Sequence, residues 1–338
     1  MIEVTGLTKK YGNHKAVDNI SFKVEEGQIY GFLGPNGAGK STTMNIITGY
    51  LAACEGSVVI DGHDVLKEPE EAKKCIGYLP ELPPLYMDMT VMEYLKFVAE
   101  LKKVEKSARK EQIGEIMEMT GITDMKDRLI RNLSKGYKQR VGLAQAIIGY
   151  PKVIILDEPS VGLDPKQIIE MRELIKKLGE NHTVILSSHI LSEVSAVCDH
   201  IMIISKGKLV ASETTENLTK RMSGGDELSL TIKGDENEIK GALIPMEGVE
   251  NVEVTASQDG EVSVLVSIEK DADIREKVFY KFAEKKMPIL SMSLSQKSLE
   301  DIFLELTGEQ AAEPVAEPEE AVELTEVVEE EQDNAGDL

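Results

Sequence analysis

The chain has 338 residues, of which 41% are apolar and 4% aromatic, and its formal charge at pH 7 is −22. This length can hold two domains, and the apolar content suits a globular α/β protein that buries a core of its own. The negative charge argues against a nucleic-acid binder, because affinity for phosphate backbones comes mainly from Lys and Arg.

The first part of the chain predicts short strands separated by turns. Apolar and polar residues alternate over Ile2–Leu7 and Ile20–Val24, and Tyr11-Gly12-Asn13 has the composition of a turn. The apolar segment Ile29–Leu33 predicts a buried strand, and the spacing of apolar residues predicts a helix over Ser41–Tyr50. Further strands are predicted over residues 56–60 and 75–79.

A glycine-rich phosphate-binding motif lies between this buried strand and this helix. It consists of Gly34, Pro35, Asn36, Gly37, Ala38, Gly39, Lys40 and Ser41, and Thr42 follows it. Glycines let backbone N–H groups approach an anion closely and allow positive φ. Lys40 would bring positive charge to the β- and γ-phosphates of a nucleotide, and Ser41 a hydroxyl to Mg²⁺. Because strand, loop and helix follow in the required order, a chance match is the weaker interpretation.

Between Thr90 and Gly149 the pattern changes to helical spacing. Thr90 and Glu93 form the signature of a capping box, so we interpret about residues 85–150 as a helical insertion. Buried strands are then predicted over residues 153–156, 183–187 and 200–204, with helices over 168–178 and 191–197. This alternation predicts a mainly parallel sheet covered on both faces.

Three polar residues directly follow two of these strands. Asp157 and Glu158 follow the first, and His189 follows the second. Ligands of open α/β sheets bind at the carboxyl ends of the strands. We therefore predict that Asp157 holds a metal, that Glu158 polarises an attacking water and that His189 donates to the γ-phosphate. Alone, an acidic pair more often belongs to an exposed loop, and a single His is more often a structural residue. The upstream phosphate motif favours the functional interpretation of the pair, and the position at the sheet edge favours that of His189.

In motif order and spacing, residues 1–221 resemble the nucleotide-binding subunit of an ABC transporter. The resemblance implies a P-loop NTPase of ABC type, with a mainly parallel core sheet, an N-terminal antiparallel β subdomain and the helical insertion. It also implies that Tyr11 stacks on adenine. Glu81 stands where the family has a glutamine that senses the γ-phosphate and the permease, and there it keeps an oxygen ligand for the metal.

The resemblance further implies that two protomers share each nucleotide. The signature segment consists of Leu133, Ser134, Lys135, Gly136 and Tyr137, and the loop that meets the partner consists of Gly162, Leu163 and Asp164. Ser134 and the Gly136 backbone would close over the γ-phosphate held by the partner protomer's phosphate loop. Lys135 and Tyr137 replace the Gly and Gln of the commonest signature. Together with Glu81, they resemble the branch that serves ABC-2 type exporters, which includes gliding-motility and drug-export ATPases.

The remainder of the chain predicts a linker over residues 222–226, a small α+β domain over 227–308 and a disordered acidic tail over 309–338. Strands are predicted over residues 228–232, 249–255, 262–268 and 289–294, and helices over 236–243 and 273–285, which is the order of a ferredoxin-like split βαβ unit. Gln258-Asp259-Gly260 is a hairpin signal, and Ser298 would cap a last helix over Leu299–Leu306 that ends at Gly308.

The tail carries twelve acidic residues and no Lys or Arg, so it cannot bury enough apolar surface to fold. It is interpreted as a solvating appendage, with an acidic docking peptide as the alternative. Cys54, Cys75 and Cys198 form no CxxC pair, which favours reduced, mostly buried thiols. No segment approaches the roughly 18 apolar residues of a membrane span, and a signal-peptide pattern is absent, so we expect a cytosolic chain.

Together these features predict an ATP- and Mg²⁺-dependent ATPase subunit of an ABC-2 type exporter. It would pair with a second copy or a homologous ATPase subunit, with residues 83–93 contacting separate permease subunits at the inner face of the cell membrane. The alternative is a soluble ABC ATPase of translation or DNA repair; such proteins usually carry two nucleotide domains or a long coiled coil. A GTPase is disfavoured because the chain has no N-K-x-D motif.

Overall fold

A computed structural model describes residues 1–215, 217–218, 227–258, 260–269, 272–295, 303–304 and 306–307. Its strands are β1 (Ile2–Tyr11), β2 (His14–Val24), β3 (Ile29–Leu33), β4 (Glu55–Ile60), β5 (His63–Asp64), β6 (Ile76–Leu79), β7 (Val153–Asp157), β8 (Thr183–Ser188), β9 (His200–Ser205), β10 (Lys208–Thr214), β11 (Glu227–Lys233), β12 (Val249–Gln258), β13 (Glu261–Ile268) and β14 (Ile289–Ser295). Its α-helices are α1 (Lys40–Ile47), α2 (Pro69–Lys74), α3 (Val91–Leu101), α4 (Arg109–Met119), α5 (Lys135–Ile147), α6 (Pro165–Gly179), α7 (Leu191–Ser195), α8 (Glu236–Leu243) and α9 (Arg275–Glu284).

The core sheet has six strands in the order β10-β9-β3-β8-β7-β6. All neighbours pair in parallel except β9 and β10, which confirms the predicted mainly parallel sheet. Leu33 is in register with Ser188, and Asp157 with Ser187. The carboxyl ends of β3, β7 and β8 therefore lie side by side, and the residues that follow them share one edge of the sheet.

The predicted N-terminal antiparallel subdomain is a four-stranded sheet in the order β2-β1-β4-β5. It lies against the phosphate-binding motif through the turn between β9 and β10. The backbone N–H of Asp18 donates to the carbonyl of Gly207 at 2.8 Å, and the N–H of Gly207 donates to the carbonyl of Ala38 at 2.9 Å. The first sheet thus supports the phosphate loop from outside the core.

The helical insertion is also confirmed and consists of α3, α4 and α5. The predicted capping box begins α3, because Glu93 N–H donates to Thr90 Oγ1 at 3.2 Å and Thr90 N–H donates to Glu93 Oε2 at 2.8 Å. The buried side chains of Tyr94, Leu95 and Val98 continue the core of the parallel sheet into this insertion.

Residues 227–295 form a third sheet with a core of their own. The strand order β12-β13-β11-β14, with every neighbour antiparallel, is that of the predicted ferredoxin-like unit. Leu230, Val264 and Phe282 are fully buried between this sheet and its two helices. The predicted linker, residue 259 of the hairpin signal, most of the last predicted helix and the acidic tail lie outside the described residues; residues 303, 304, 306 and 307 are helical.

The three cysteines are free, and the expectation that they are mostly buried is wrong. Cys54 is exposed, Cys75 is half-buried and Cys198 alone of the three is buried. Cys54 lies just before β4, in a connection on the surface of the first sheet, which exposes it. No α-helix within the described part of the chain is both long and apolar enough to cross a membrane.

Candidate nucleotide site

The phosphate loop runs from the end of β3 into the start of α1 and is packed tightly against its surroundings. Gly39 has φ of 109°, and a Cβ built there would lie 2.4 Å from the carbonyl oxygen of Ala16. A Cβ at Gly34 would lie 2.3 Å from the carbonyl oxygen of Ile204. Because backbone atoms cannot give way like flexible side chains, both positions require glycine, and the loop is fixed as a cradle for an anion.

Lys40 is buried at the mouth of this cradle. Its Nζ donates to the carbonyl oxygen of Gly34 at 2.7 Å and to that of Pro35 at 3.3 Å, and it lies 3.4 Å from Glu158 Oε1. The ammonium thus stands between the loop that would hold the phosphates and the carboxylate predicted to act on water. A phosphate group here would meet a compact positive charge.

Ser41 and Asp157 converge from α1 and β7. Ser41 Oγ donates to Asp157 Oδ1 at 3.4 Å, and Ser187 Oγ donates to the same carboxylate oxygen. A hydroxyl and a carboxylate are the hard oxygen ligands that Mg²⁺ prefers. Within the described residues no group of three or more His, Cys, Asp or Glu side chains could hold a metal. A two-ligand site suits Mg²⁺, which commonly takes its remaining ligands from substrate phosphates and water.

Glu158 and His189 are joined directly. Glu158 is buried, its Oε2 lies 2.8 Å from His189 Nδ1, and its backbone N–H donates to the carbonyl oxygen of Ser187 at 3.2 Å. The φ of Glu158 is 48°, a left-handed conformation that a residue with a Cβ adopts at a cost of about 1–2 kcal/mol. Such strain recurs at active sites, where surrounding contacts hold it in place.

Two of the predicted site residues, Tyr11 and Glu81, do not contact the other site residues that the structure describes. Tyr11 is half exposed at the end of the β1–β2 hairpin, where Lys9 Nζ lies 5.6 Å from the centre of its ring. Glu81 is exposed just beyond β6, and its side chain makes no hydrogen bond or ion pair with any other described residue. The adenine role of Tyr11 and the metal role of Glu81 remain predictions.

The signature segment and the dimer loop are in contact with each other. Ser134 is the N-cap of α5, and its Oγ accepts a hydrogen bond from the Tyr137 N–H at 3.4 Å. A Cβ at Gly162 would lie 1.9 Å from Lys135 Nζ, so the two segments touch. Among the described residues, no hydrogen bond or ion pair joins these two segments to the phosphate loop.

Sequence reasoning missed several residues that support the site. Ser187 binds Asp157, while Ser188 and Ser160 both donate to the buried carboxylate of Glu193. Ser187 and Ser188 lie at the carboxyl end of β8, next to the predicted residues, but no pattern in the sequence shows which hydroxyl group reaches which carboxylate.

Tyr78, on β6, also escaped the sequence reasoning. Its hydroxyl donates to Asn45 Oδ1 at 3.3 Å and so connects β6 to α1. Burial raises the pKa of the Tyr78 hydroxyl well above its ordinary value, and the charge of Asp157 adds to the rise. Tyr78 is therefore neutral at physiological pH and serves as a hydrogen-bond donor beside the nucleotide site.

A groove of about 580 Å³ opens next to Glu81, between the core sheet and the helical insertion. Its lining residues are Asn45, Tyr50, Ile76, Tyr78, Pro80, Leu82, Pro84, Lys102, Gln145 and Ala146. Tyr50 and Leu82 are among the most exposed large apolar side chains of the described chain. Exposed apolar groups beside a groove are typical of a protein–protein contact.

Residues 17–161 match the family model described as ABC transporter. The chain is similar to the bacitracin transport ATP-binding protein BcrA of Bacillus licheniformis, with 37% identity over 91% of this chain and 97% of BcrA. It is 32% identical to the linearmycin resistance ATP-binding protein LnrL of Bacillus subtilis (strain 168), over 91% of this chain and 98% of LnrL. It is 30% identical to the daunorubicin/doxorubicin resistance ATP-binding protein DrrA of Streptomyces peucetius, over 92% of this chain and 93% of DrrA.

Solved structures of ATP-binding subunits are similar to the nucleotide-binding part of the chain. The chain is similar to the ATP-binding subunit of an ABC transporter, with a TM-score of 0.61 and 28% identity over 65% of this chain and 92% of that subunit. It is also similar to the ATP-binding cassette MJ0796 in a dimeric post-hydrolysis structure bound to ADP and Pi. There the TM-score is 0.58 and the identity 27%, over 63% of this chain and 98% of the cassette.

Proposed function

The chain belongs to the ABC transporter family as an ATP-binding, ATP-hydrolysing subunit that uses ATP and Mg²⁺, and we propose that it powers an ABC-2 type exporter. The observation that carries the proposal is the convergence of Lys40, Asp157, Glu158 and His189 at one sheet edge. Export is supported by the similarity over almost the whole chain to proteins named for antibiotic transport and resistance.

The proposed roles follow from the geometry of these residues. The phosphate loop and Lys40 hold the triphosphate, while Ser41 and Asp157 hold Mg²⁺, which neutralises charge on the phosphates. Glu158 polarises the attacking water, and His189, bound to Glu158 at 2.8 Å, orients that carboxylate and reaches the γ-phosphate. Glu158 is buried beside Lys40, so its carboxylate is kept out of bulk water. In such a buried site its electrostatic effect on a bound water is greatest.

Hydrolysis requires two protomers in this proposal. Ser134 is exposed at the start of α5, and no hydrogen bond or ion pair among the described residues joins Ser134 or Gly136 to the phosphate loop of their own chain, so they would serve the nucleotide of a partner. ATP then holds the two protomers together, and loss of the γ-phosphate contacts after hydrolysis lets them separate. The second protomer is another copy of this chain or a homologous ATPase subunit.

Replacement of the proposed base tests this scheme. Glu158→Gln should leave ATP affinity within about threefold of wild type, lower phosphate release at least about 100-fold, and give an ATP-dependent dimer in light scattering. The change is nearly isosteric, so folding is preserved. Ser192→Ala, at an exposed position of α7, is the control and should leave both measurements unchanged. Undiminished hydrolysis by Glu158→Gln would remove Glu158 from the mechanism.

We place the permease contact at the groove beside Glu81 and along residues 83–93, where Tyr86 and Met87 are also exposed. The chain would thus lie at the inner face of the cell membrane. Leu82→Glu should reduce recovery of the chain with membranes about tenfold without changing its ATP affinity, because a charge would enter an apolar contact. Leu66→Glu is the matched control: Leu66 is 63% exposed and Leu82 78%, but Leu66 lies outside the groove. Equal recovery of the two variants would contradict this contact.

The alternative of a soluble ABC ATPase in translation or DNA repair is not favoured. Relatives that match over most of their length are named for transport or drug resistance, and the helical insertion contains no long coiled coil. The charge of −22 also gives no basis for binding to nucleic acid.

A further inference from the structure

Glu193 is a buried carboxylate that connects two loops of the nucleotide site. It lies on α7 and is 6% exposed. Its Oε2 accepts hydrogen bonds from Ser160 Oγ and from Ser188 Oγ, the latter at 3.2 Å. No cation in the part of the chain that the structure describes pairs with it. Both hydrogen bonds to this charge therefore come from hydroxyl groups of other segments.

The two hydroxyl groups belong to two different segments of the proposed site, one at the dimer contact and one at the nucleotide. Ser160 lies two residues after Glu158 and two before Gly162, and its carbonyl accepts from the Leu163 N–H at 3.1 Å, which shapes the dimer loop. Ser188 directly precedes His189, and its Oγ accepts from the Ile190 N–H at 3.0 Å. One hydroxyl thus belongs to the turn that meets the partner protomer, and the other to the turn that reaches the γ-phosphate.

A carboxylate at position 193 does something that an apolar side chain could not do. A buried charge without a cation is costly, and an apolar side chain of similar size would fill the space at lower cost. A carboxylate oxygen, however, accepts two strong hydrogen bonds at once, which an apolar group cannot do. The carboxylate of Glu193 therefore fixes the turn that carries Ser160 relative to the turn that carries Ser188.

We propose that Glu193 is a positioning residue that couples the His189 turn to the dimer loop, so that the two move as one unit. When a partner protomer docks on residues 162–164, the Ser160–Glu193–Ser188 connection would bring His189 into register with the γ-phosphate. The reverse change after hydrolysis would loosen the dimer loop. This inference rests on the proposed function, and it deepens that function by naming the internal link between nucleotide state and dimer contact.

Three variants and a control test the coupling. Glu193→Ala removes both hydrogen bonds, whereas Glu193→Gln keeps an oxygen that can accept both. Because the link acts on geometry at the reacting centre, Glu193→Ala should lower kcat about tenfold with KM within about twofold, and Glu193→Gln should retain at least half of the activity. Ser160→Ala should resemble Glu193→Ala. Ser192→Ala, one position away and exposed, should match wild type.

A second readout separates coupling from a merely structural role. With ATP bound and hydrolysis blocked by omission of Mg²⁺, hydrogen exchange should rise in Glu193→Ala in both segments, 159–164 and 189–191, while α6 stays protected. This measurement needs no turnover. Failure of wild-type hydrolysis would therefore contradict the proposed function, whereas exchange that is unchanged, or raised in a single segment, would contradict the coupling.

A double-mutant cycle gives the decisive comparison. If Glu193 joins Ser160 to Ser188, the kcat of the double variant Ser160→Ala/Ser188→Ala should be no more than about twofold below that of the more impaired single variant. Losses that multiply would show that the two serines act independently and would overturn the proposal, as would unchanged kcat in Glu193→Ala. If Glu193→Ala does not fold, the serine cycle decides alone, because each of its changes removes only a hydroxyl.

Discussion

At the residue scale, two glycines of the phosphate loop share positive φ but differ in what a methyl group would meet. A Cβ at Gly39 would lie 2.4 Å from the Ala16 carbonyl, whereas a Cβ at Gly37 has nothing within 4 Å. Gly37→Ala should therefore cost about 1 kcal/mol of unfolding free energy, from backbone strain alone. Gly39→Ala should cost about 1–3 kcal/mol more, because the backbone around Ala16 must shift. Urea unfolding without nucleotide measures both.

Gly62→Ala is the control for this pair. Gly62 has φ of 86°, open space around its Cβ direction, and a place in the β4–β5 turn away from the phosphate loop. The loss of unfolding free energy in Gly62→Ala should equal that in Gly37→Ala within about 0.5 kcal/mol. If Gly39→Ala cost no more than these two, the loop would not be braced by the first sheet.

The residues of the candidate site differ in how far the sequence reveals them. Asp157, Glu158 and His189 could be predicted, because each follows an apolar strand and parallel strands end at one edge. Ser187 and Glu193 could not, because their contacts depend on side-chain rotamers and on the short helix α7 folding back over β8. Periodicity places residues on elements; it does not say which hydroxyl reaches which carboxylate.

At the element scale, the capping box of α3 makes a separable contribution to stability. Thr90→Ala removes the hydroxyl that accepts from the Glu93 N–H and should lower the unfolding free energy by about 1 kcal/mol. Glu93→Gln keeps the box at neutral pH, since Gln also serves at that position. A Thr90→Ala protein as stable as wild type in urea would show that the tertiary contacts of α3 alone fix its start.

The same box predicts a pH dependence. Hydrogen bonds from the Thr90 backbone and side chain hold the pKa of Glu93 below its ordinary value of 4.5. A carboxyl group with a lowered folded-state pKa stabilises the fold above the unfolded-state value, and this stability is lost as the pH falls through the folded-state pKa. The stability difference between wild type and Glu93→Gln should therefore shrink from pH 6 to pH 3. A constant difference would contradict this origin.

Two elements show why the element boundaries were only partly predictable. The helical spacing between Thr90 and Gly149 does not show where each helix starts, and α5 begins at Lys135 because tertiary packing overrides the low helix propensity of Gly136 and Gly142. A Cβ at Gly142 would lie 2.8 Å from Leu79 and Pro83 side chains, so this glycine allows α5 to approach β6. Strand β10 was missed because an edge strand of small and polar residues carries weak alternation.

At the scale of the whole molecule, the chain returns to the nucleotide-binding core after the third sheet. Phe303 is 9% exposed and belongs to the same buried cluster as the helical insertion and the parallel sheet. Ser205 Oγ donates to the carbonyl oxygen of Thr307 at 3.4 Å, at the end of β9. The sheet formed by residues 227–295 is therefore connected to the core at both of its ends, and the acidic tail follows the second connection.

This return predicts that stability of the nucleotide-binding part depends on residues more than eighty positions beyond its last strand. Phe303→Ala should lower its unfolding free energy by about 3 kcal/mol, because a buried aromatic side chain is removed from the core. Phe279→Ala is the matched control: Phe279 is 56% exposed on α9, so its loss should stay within about 0.5 kcal/mol. A chain that ends at residue 307 keeps Phe303 and should match wild type in ATP hydrolysis and thermal midpoint, whereas one that ends at 295 should unfold at a lower temperature. Equal midpoints for the two shortened chains would show that the second connection contributes nothing to the core.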